Sequence, residues 1–336
     1  MRRKKGLYGM VVIAVLGLFV PVAVFACASC GCTLSSDWNS VNTKNSSDIL
    51  VDIRYDYLDQ DQLRSAAGTI SPLAASQILN NGDMQEVEQY TKNNYVTLDV
   101  AYSMSAILGI SVQLPYINRS HSTLGTMSDG TVAGDGGGQY TSKTSNIGDA
   151  KILLNYQGFL PRHTLGVIAG LKIPSGNFNE TGTSTDSTAP GPVNIDRGLQ
   201  PGTGTTDLIM GLFYLDSFNY AWSYFVQGLF QAALDYRDDY RPGNGINVTV
   251  GLRYQGVSWI TPQLQFNGRY VLHDTGANAD LSSTGGTLAY LSPGVVVPIV
   301  KQASVYGFVQ LPVYQYVRGV QLAPRFTASL GAKVAF

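Results

Sequence analysis

The sequence predicts an all-β fold, a transmembrane antiparallel up-and-down β-barrel of about 12 strands. Three observations predict it. The final segment alternates without a break: Phe326, Ala328, Leu330, Ala332, Val334 and Phe336 share one face, and Arg325, Thr327, Ser329, Gly331, Lys333 and Ala335 share the other. Successive strand residues point to opposite sides, so one face of this strand is greasy and the other wet. Only 13% of residues are charged, while 37 are Gly and 20 are Tyr; soluble domains carry about 25% charge. After residue 26 no apolar run approaches the roughly 20 residues that a membrane helix needs. A closed barrel is the other arrangement that satisfies every peptide group inside lipid. The competing fold is a soluble β-sandwich, whose strands are mostly shorter than the roughly 9–11 residues a spanning strand requires.

The first 26 residues read as a signal peptide. Arg2, Arg3, Lys4 and Lys5 form a basic start, Met10 to Val20 an apolar core, and Val24 and Ala26 place small residues where a signal peptidase reads. An anchoring helix is the weaker reading, because Pro21 interrupts the segment. Cleavage after Ala26 leaves Cys27 first, and a lipidated cysteine ranks second because Phe25 suits such a signal poorly. Residues 27–47 then form a periplasmic leader, and 48–336 the barrel. The 22 basic residues less the four in the signal leave 18 against 23 acidic, a balance of −5, which argues against a nucleic-acid partner.

All three cysteines lie in the leader: Cys27, Cys30 and Cys32. Thiolates this close can hold copper, zinc or an iron–sulfur unit; a disulfide with one thiol left over is the alternative. No His follows Cys30, which excludes the Cys-x-x-Cys-His pattern of covalent haem. Apart from a metal at this cluster, no cofactor is expected.

From residue 48 the alternation proceeds strand by strand. Ile49, Val51, Ile53, Tyr55 and Tyr57 oppose Asp52, Arg54 and Asp56. A polar stretch from Asp59 to Asn93 reads as a loop. Val96, Leu98, Val100 and Tyr102 oppose Thr97 and Asp99. After a tight turn near Met104, Leu108, Ile110, Val112, Leu114 and Tyr116 oppose Gly109, Ser111 and Gln113. The Gly-, Ser- and Thr-rich stretch from Arg119 to Asn146 reads as a second long loop. Ala150, Ile152, Leu154 and Tyr156 oppose Asp149, Lys151 and Asn155. Leu165 to Ile173 continues the outer face, and Ser175 to Thr205 is a third loop. Strands then follow around Leu208–Tyr214, Trp222–Phe230, Val248–Tyr254 and Leu264–Leu272. The last three lie near 287–297, 304–316 and 324–336, with sidedness clear only in the final one.

Short and long connections alternate. Short turns face the periplasm in outer-membrane barrels, so an even count leaves both barrel termini periplasmic, in the outer membrane of a Gram-negative bacterium. Tyr55, Tyr57, Tyr116, Tyr156, Tyr214, Tyr254, Tyr270 and Tyr290 sit near strand ends, where aromatic girdles meet the lipid–water boundary.

The inner face is expected to carry Asp52, Arg54, Asp56, Asp99, Asp149, Lys151, Lys172, Arg253, Arg269, Arg325 and Lys333. Such charges either bias which solutes cross a pore or form salt bridges that fill a narrow barrel. There are three His residues. His273 lies beside Asp274 and Thr275, and a lipid hydrolase needs a hydroxyl nucleophile bonded to that imidazole. A loop histidine is the stronger reading, and no catalytic residue is assigned.

The segments Asn146–Tyr156, Gly170–Gly176, Leu199–Asp207, Arg241–Asn244, Leu291–Gly294 and Gln310–Tyr314 together resemble a family of bacterial outer-membrane barrels named as transporters of the phenol-degradation meta-pathway. The resemblance covers roughly residues 48–336 and leaves the cysteine leader outside. It implies a closed barrel, not an enzyme, that passes small solutes, aromatic or hydrophobic ones among them. Its contacts are then outer-membrane lipid and the solute. The alternative is a structural sleeve that docks a periplasmic redox or metal-carrying protein through the leader.

Overall fold

The computed structural model describes residues 49–80, 83–84, 87–124, 140–185 and 190–336. The segment expected to be a signal peptide and the expected leader with Cys27, Cys30 and Cys32 lie outside the described residues. The main strands are β1 (Ile49–Ala66), β2 (Val87–Ser103), β3 (Leu108–Leu124), β4 (Tyr140–Ile147), β5 (Ala150–Tyr156), β6 (Leu165–Ile173), β7 (Asp207–Ser217), β8 (Trp222–Ala233), β9 (Gly245–Tyr254), β10 (Thr261–Val271), β11 (Gly286–Val300) and β12 (Ala303–Ala335). Each pairs antiparallel with its neighbours, and β12 returns to β1, so the sheet closes.

Two elements depart from one strand per stave. β12 is 33 residues long and folds back on itself at Arg318–Gly319, where Gly319 has φ 61°. Its first arm pairs with β11 up to Val317 and its second with β1 from Val317 onward. The Ala335 N–H donates to the Gln302 carbonyl at 2.8 Å, joining the two arms. Conversely, β4 and β5 make one stave: β3 pairs its upper half with β4 (Tyr116↔Ile147) and its lower half with β5 (Gln113↔Lys151). The break falls at Gly148–Asp149, opposite Pro115, which has no N–H to continue the ladder; Gly148 N–H instead donates to the Pro115 carbonyl at 2.8 Å. The ring therefore has 12 staves.

The alternation read from the sequence maps onto two faces. Every stave shows aliphatic side chains outward, from Ile53 (53% exposed) on β1 through Leu212 on β7 (61%) to Leu330 on β12 (62%). Such a continuous belt is costly in water and suited to acyl chains. The short turns carry Tyr220 (95% exposed), Trp259 and Phe218, a ring of aromatics at one rim. No helix among the described residues is long and apolar enough to cross a membrane.

Three expectations need correction. Arg325 does not face inward. The register between β1 and the second arm of β12 shifts between Leu58 and Gln60, a β-bulge that puts Arg325 and Phe326 on the same, outer side. Arg325 Nε pairs with Asp61 at 2.8 and 3.1 Å, both side chains solvent-exposed. Solvent screens an exposed pair of this kind, so Arg325→Ala is expected to leave the urea-unfolding midpoint nearly where it was, measured by urea titration, and to leave conductance unchanged. Tyr290, placed among the girdle residues, is inside and 4% exposed. Finally, the first two long loops are shorter than expected, because β1, β2 and β3 run to 18, 17 and 17 residues. A strand needs only about 9–11 residues to span hydrocarbon. Beyond that depth both faces are wet, so the alternation fades while the backbone ladder continues.

The tall side so formed holds its own apolar cluster: Leu63, Val87, Val320 and Leu322 with Ala75, the last from a helix at Pro72–Ser76 capped by the Ser71 hydroxyl. On the other side β6 to β10 are 9–12 residues long, and the connections after β6, β8 and β10 build the rim instead.

Candidate functional site

The candidate site is the barrel interior, which has two charged tiers. Near the short-turn rim, Asp52 accepts a hydrogen bond from the Tyr306 hydroxyl at 3.0 Å to either oxygen, and Lys333 Nζ lies 4.0 Å from the same carboxylate. Arg54 pairs with Asp56 at 2.8 Å, and Ser329 donates to Asp56 as well. Asp99 accepts from Gln113 at 2.8 Å. Arg253 lies half-buried on β9, near the same rim. Acidic and basic groups are balanced here, three against three.

Between these charges, large rings lie flat on the wall over glycines of the adjacent stave. A Cβ at Gly251 falls 1.8 Å from Phe225, at Gly294 2.1 Å from Phe308, at Gly166 2.2 Å from Phe213 and at Gly331 2.3 Å from Tyr306. The first three are register partners across neighbouring strands. Cross-strand contact between an aromatic and a glycine stabilises the pair, and it keeps these four rings out of the bore. All four are buried, at 3–5% exposure.

The upper tier is built where the broken stave leaves a gap. Lys172, at the end of β6, reaches Asp149 in the break at 2.8 Å and Asp207 at the start of β7 at 3.1 Å. It also donates to the Thr205 carbonyl at 3.0 Å and to the Thr203 hydroxyl. Asp149 accepts in turn from Gly176 N–H and from Thr203 N–H and hydroxyl. The three charged side chains are 3–6% exposed. Burying them in water-poor surroundings is tolerable only because each is paired and hydrogen-bonded. Beside this knot the backbones of Gly176 and Gly202 touch: a Cβ on Gly202 falls 2.5 Å from the Gly176 carbonyl oxygen. The knot therefore ties the turn Arg197–Leu199 and its flanks into the barrel, with Ile195 and Leu199 both 2% exposed.

Under that tied turn lies a cavity of about 200 Å³. Its walls carry Arg119 of β3, Lys151 of β5, Lys172 of β6, Asp207 of β7, Asn247 of β9 and Arg269 of β10, and its roof carries Arg197, Tyr240 and Pro242. Arg119 is 4% exposed and donates to Asn93 at 2.6 Å, the Tyr95 hydroxyl at 2.9 Å and the Gly198 carbonyl at 3.2 Å. Arg269 donates to Asn247 at 3.1 Å. Arg197 stacks on Phe178 and Tyr240, with ring centroids at 4.9 and 5.1 Å, and donates to the Thr203 carbonyl at 2.9 Å.

The segments Asn146–Tyr156, Gly170–Gly176, Leu199–Asp207 and Arg241–Asn244, separate in sequence, meet here. The structure thus groups Asp149, Lys151 and Arg269, read individually from the sequence, and adds Arg119, Arg197 and Asp207, which that reading missed. Arg119 fell inside a presumed loop. Its signal was the unbroken series Ile117, Arg119, His121, all buried on one face.

His273 does not form a hydrolase pair: its Nδ1 meets the Asp274 carbonyl at 2.8 Å. The Asp274 carboxylate is taken by Gly243 N–H and the Tyr240 hydroxyl. Burial pushes this rim carboxyl above its ordinary range, against those two hydrogen bonds.

No protein-family model matches the chain, and no curated protein matches it at a significant level. Solved structures do. The chain is similar to the COG4313 outer membrane channel from Pseudomonas putida F1, with a TM-score of 0.63 at 13% identity over 89% of this chain and 99% of that one. A CymD monoaromatic hydrocarbon channel gives a TM-score of 0.49 at 10% identity over 87% and 89% of the two chains. A Pseudomonas aeruginosa FadL homologue gives 0.47 at 10% identity over 94% and 98%. At 13% identity the first likeness is one of fold.

Proposed function

We propose that this chain is an outer-membrane channel for small solutes, aromatic or hydrophobic ones among them. One observation carries the reading: a closed 12-stave barrel with a greasy exterior keeps a charged inner wall and a cavity beneath an inward-tied turn. A barrel filled merely for stability has no need of rings laid flat against its wall. The short-turn rim, which holds the barrel's first and last strand ends, is assigned to the periplasm by the loop rule. The fold likeness to a channel supports the reading. Phenolic solutes, the finer expectation, rest on the sequence resemblance alone, and the sleeve alternative falls on the leader, outside the described residues.

The test is reconstitution of the mature barrel in a planar bilayer. Discrete conductance steps are expected from the isolated protein. Silence from folded, heat-modifiable barrel inserted in the bilayer would overturn the channel.

A further inference from the structure

We infer that the cavity under the Arg197–Leu199 turn is a binding site for a small amphiphilic carboxylate, a ring or short chain bearing one anionic head. The inference rests on the channel reading for its physiological meaning but not for its binding chemistry. It begins with a charge count. The walls and roof bring together five cations, Arg119, Lys151, Lys172, Arg197 and Arg269, around one lining carboxylate, Asp207. Asp149, behind the wall, shares Lys172 with Asp207. Asp238 stands 3.5 Å from Arg197 and is half-exposed, Asp274 lies behind the roof, held by the Tyr240 hydroxyl and the Gly243 N–H, and Asp196 precedes the turn. Lys172 is thus matched twice over, and Arg197 loosely. Arg119 and Arg269 have no carboxylate within salt-bridge distance among the described residues; their partners are amides, a phenol and a carbonyl.

Placement sharpens the count. Arg119 stands on the third stave and Arg269 on the ninth, six apart in a ring of 12. Their staves stand on opposite sides of the ring, and both side chains line the same cavity. Guanidinium groups present planar, paired donors that fit a carboxylate, and each keeps donors beyond those already used. The tier near the opposite rim is charge-balanced, whereas among the side chains that line this cavity the cations outnumber the carboxylates. Ile117, Val271, Tyr240, Pro201 and Pro242 give the lining an apolar and aromatic part, beside the neutral polar side chains of Gln200, Thr203, Gln231 and Asn247. A cavity of about 200 Å³ is below the usual range of drug-sized pockets, which start near about 300 Å³. It therefore suits a single-ring or short-chain acid. An inorganic anion would leave the apolar part of the lining unused, and a neutral ring would leave the two guanidinium groups unused.

The test uses the full mature chain in detergent at fixed salt, titrated calorimetrically with sodium benzoate and with benzamide, a neutral molecule of the same outline. Benzoate is expected to bind at least about tenfold more tightly than benzamide. Arg269→Gln is expected to abolish most of that preference by weakening benzoate far more than benzamide, while Arg269→Lys restores part of it. Arg269 is the position of choice because it has one side-chain partner, whereas Arg119 holds three groups in place. Equal binding of the two probes, absence of benzoate binding, or a preference indifferent to Arg269→Gln each overturns the site. Inorganic phosphate competing as well as benzoate overturns the amphiphilic class. The two readings separate cleanly. A barrel silent in bilayers that still prefers benzoate keeps the site and loses the channel. A conducting barrel blind to ligand charge keeps the channel and loses the site.

Discussion

Lys172→Met is expected to lower the unfolding free energy of the barrel by about 3–5 kcal/mol and to raise single-channel conductance. The substitution keeps the length and apolar stem of the side chain but removes its charge. Asp149 and Asp207, each nearly buried, then face each other without a cation. Removing one partner from a buried ionic group costs far more than the pair contributes, because the remaining charge stays desolvated. The cheapest relief is for the tied turn to leave and admit water, which opens the bore. Urea titration of the barrel in lipid vesicles measures the first effect and bilayer recording the second. The triple variant Lys172→Met, Asp149→Asn, Asp207→Asn is expected to recover much of the stability, since amides can accept the same N–H donors without a charge to solvate. Unchanged stability in the single variant would mean that the knot is ornamental.

Gly251→Val is expected to cut conductance by at least about half, with an overpacking cost of about 1–3 kcal/mol. The first side-chain carbon at this position falls 1.8 Å from the Phe225 ring, so the ring must leave the wall, and the open direction is inward. Phe225→Ala on the same background is expected to restore the bore, because the displaced ring is then absent. That rescue distinguishes obstruction from misfolding: a misfolded barrel is not repaired by deleting a second buried side chain. Equal conductance in parent and Gly251→Val would show that the flat rings do not set the bore.

The outward alternation was legible in most strands, though not near 287–297 and 304–316, since lipid demands an apolar residue at every second position through the hydrocarbon layer. Ile53, Leu98, Val112 and Leu154 all face out as their spacing implied. Inner charges such as Asp52 and Lys333 followed from the same period. What escaped was whatever interrupts the period. One bulge turned Arg325 outward, because an inserted residue inverts sidedness without changing composition. The extensions of β1 to Ala66 and β3 to Leu124 lie above the depth at which lipid enforces a pattern. Nor does spacing show that the inner glycines Gly251 and Gly331 bed the rings of Phe225 and Tyr306. The meeting of Asp149, Lys172 and Asp207 needed the third dimension, as they stand at the ends of three different strands.

The uneven height of the wall has a consequence for how such a protein changes over generations. Where β1, β2 and β3 rise past the lipid as paired strands, each backbone group is committed to a neighbour, and an insertion breaks a ladder. Where β6 to β10 stop short, the rim is made of connections that tolerate new lengths and residues. Those connections also roof the cavity through Arg197, Tyr240 and Pro242. The lining of the cavity can therefore be rewritten on one half of the circumference while the other half preserves the seal.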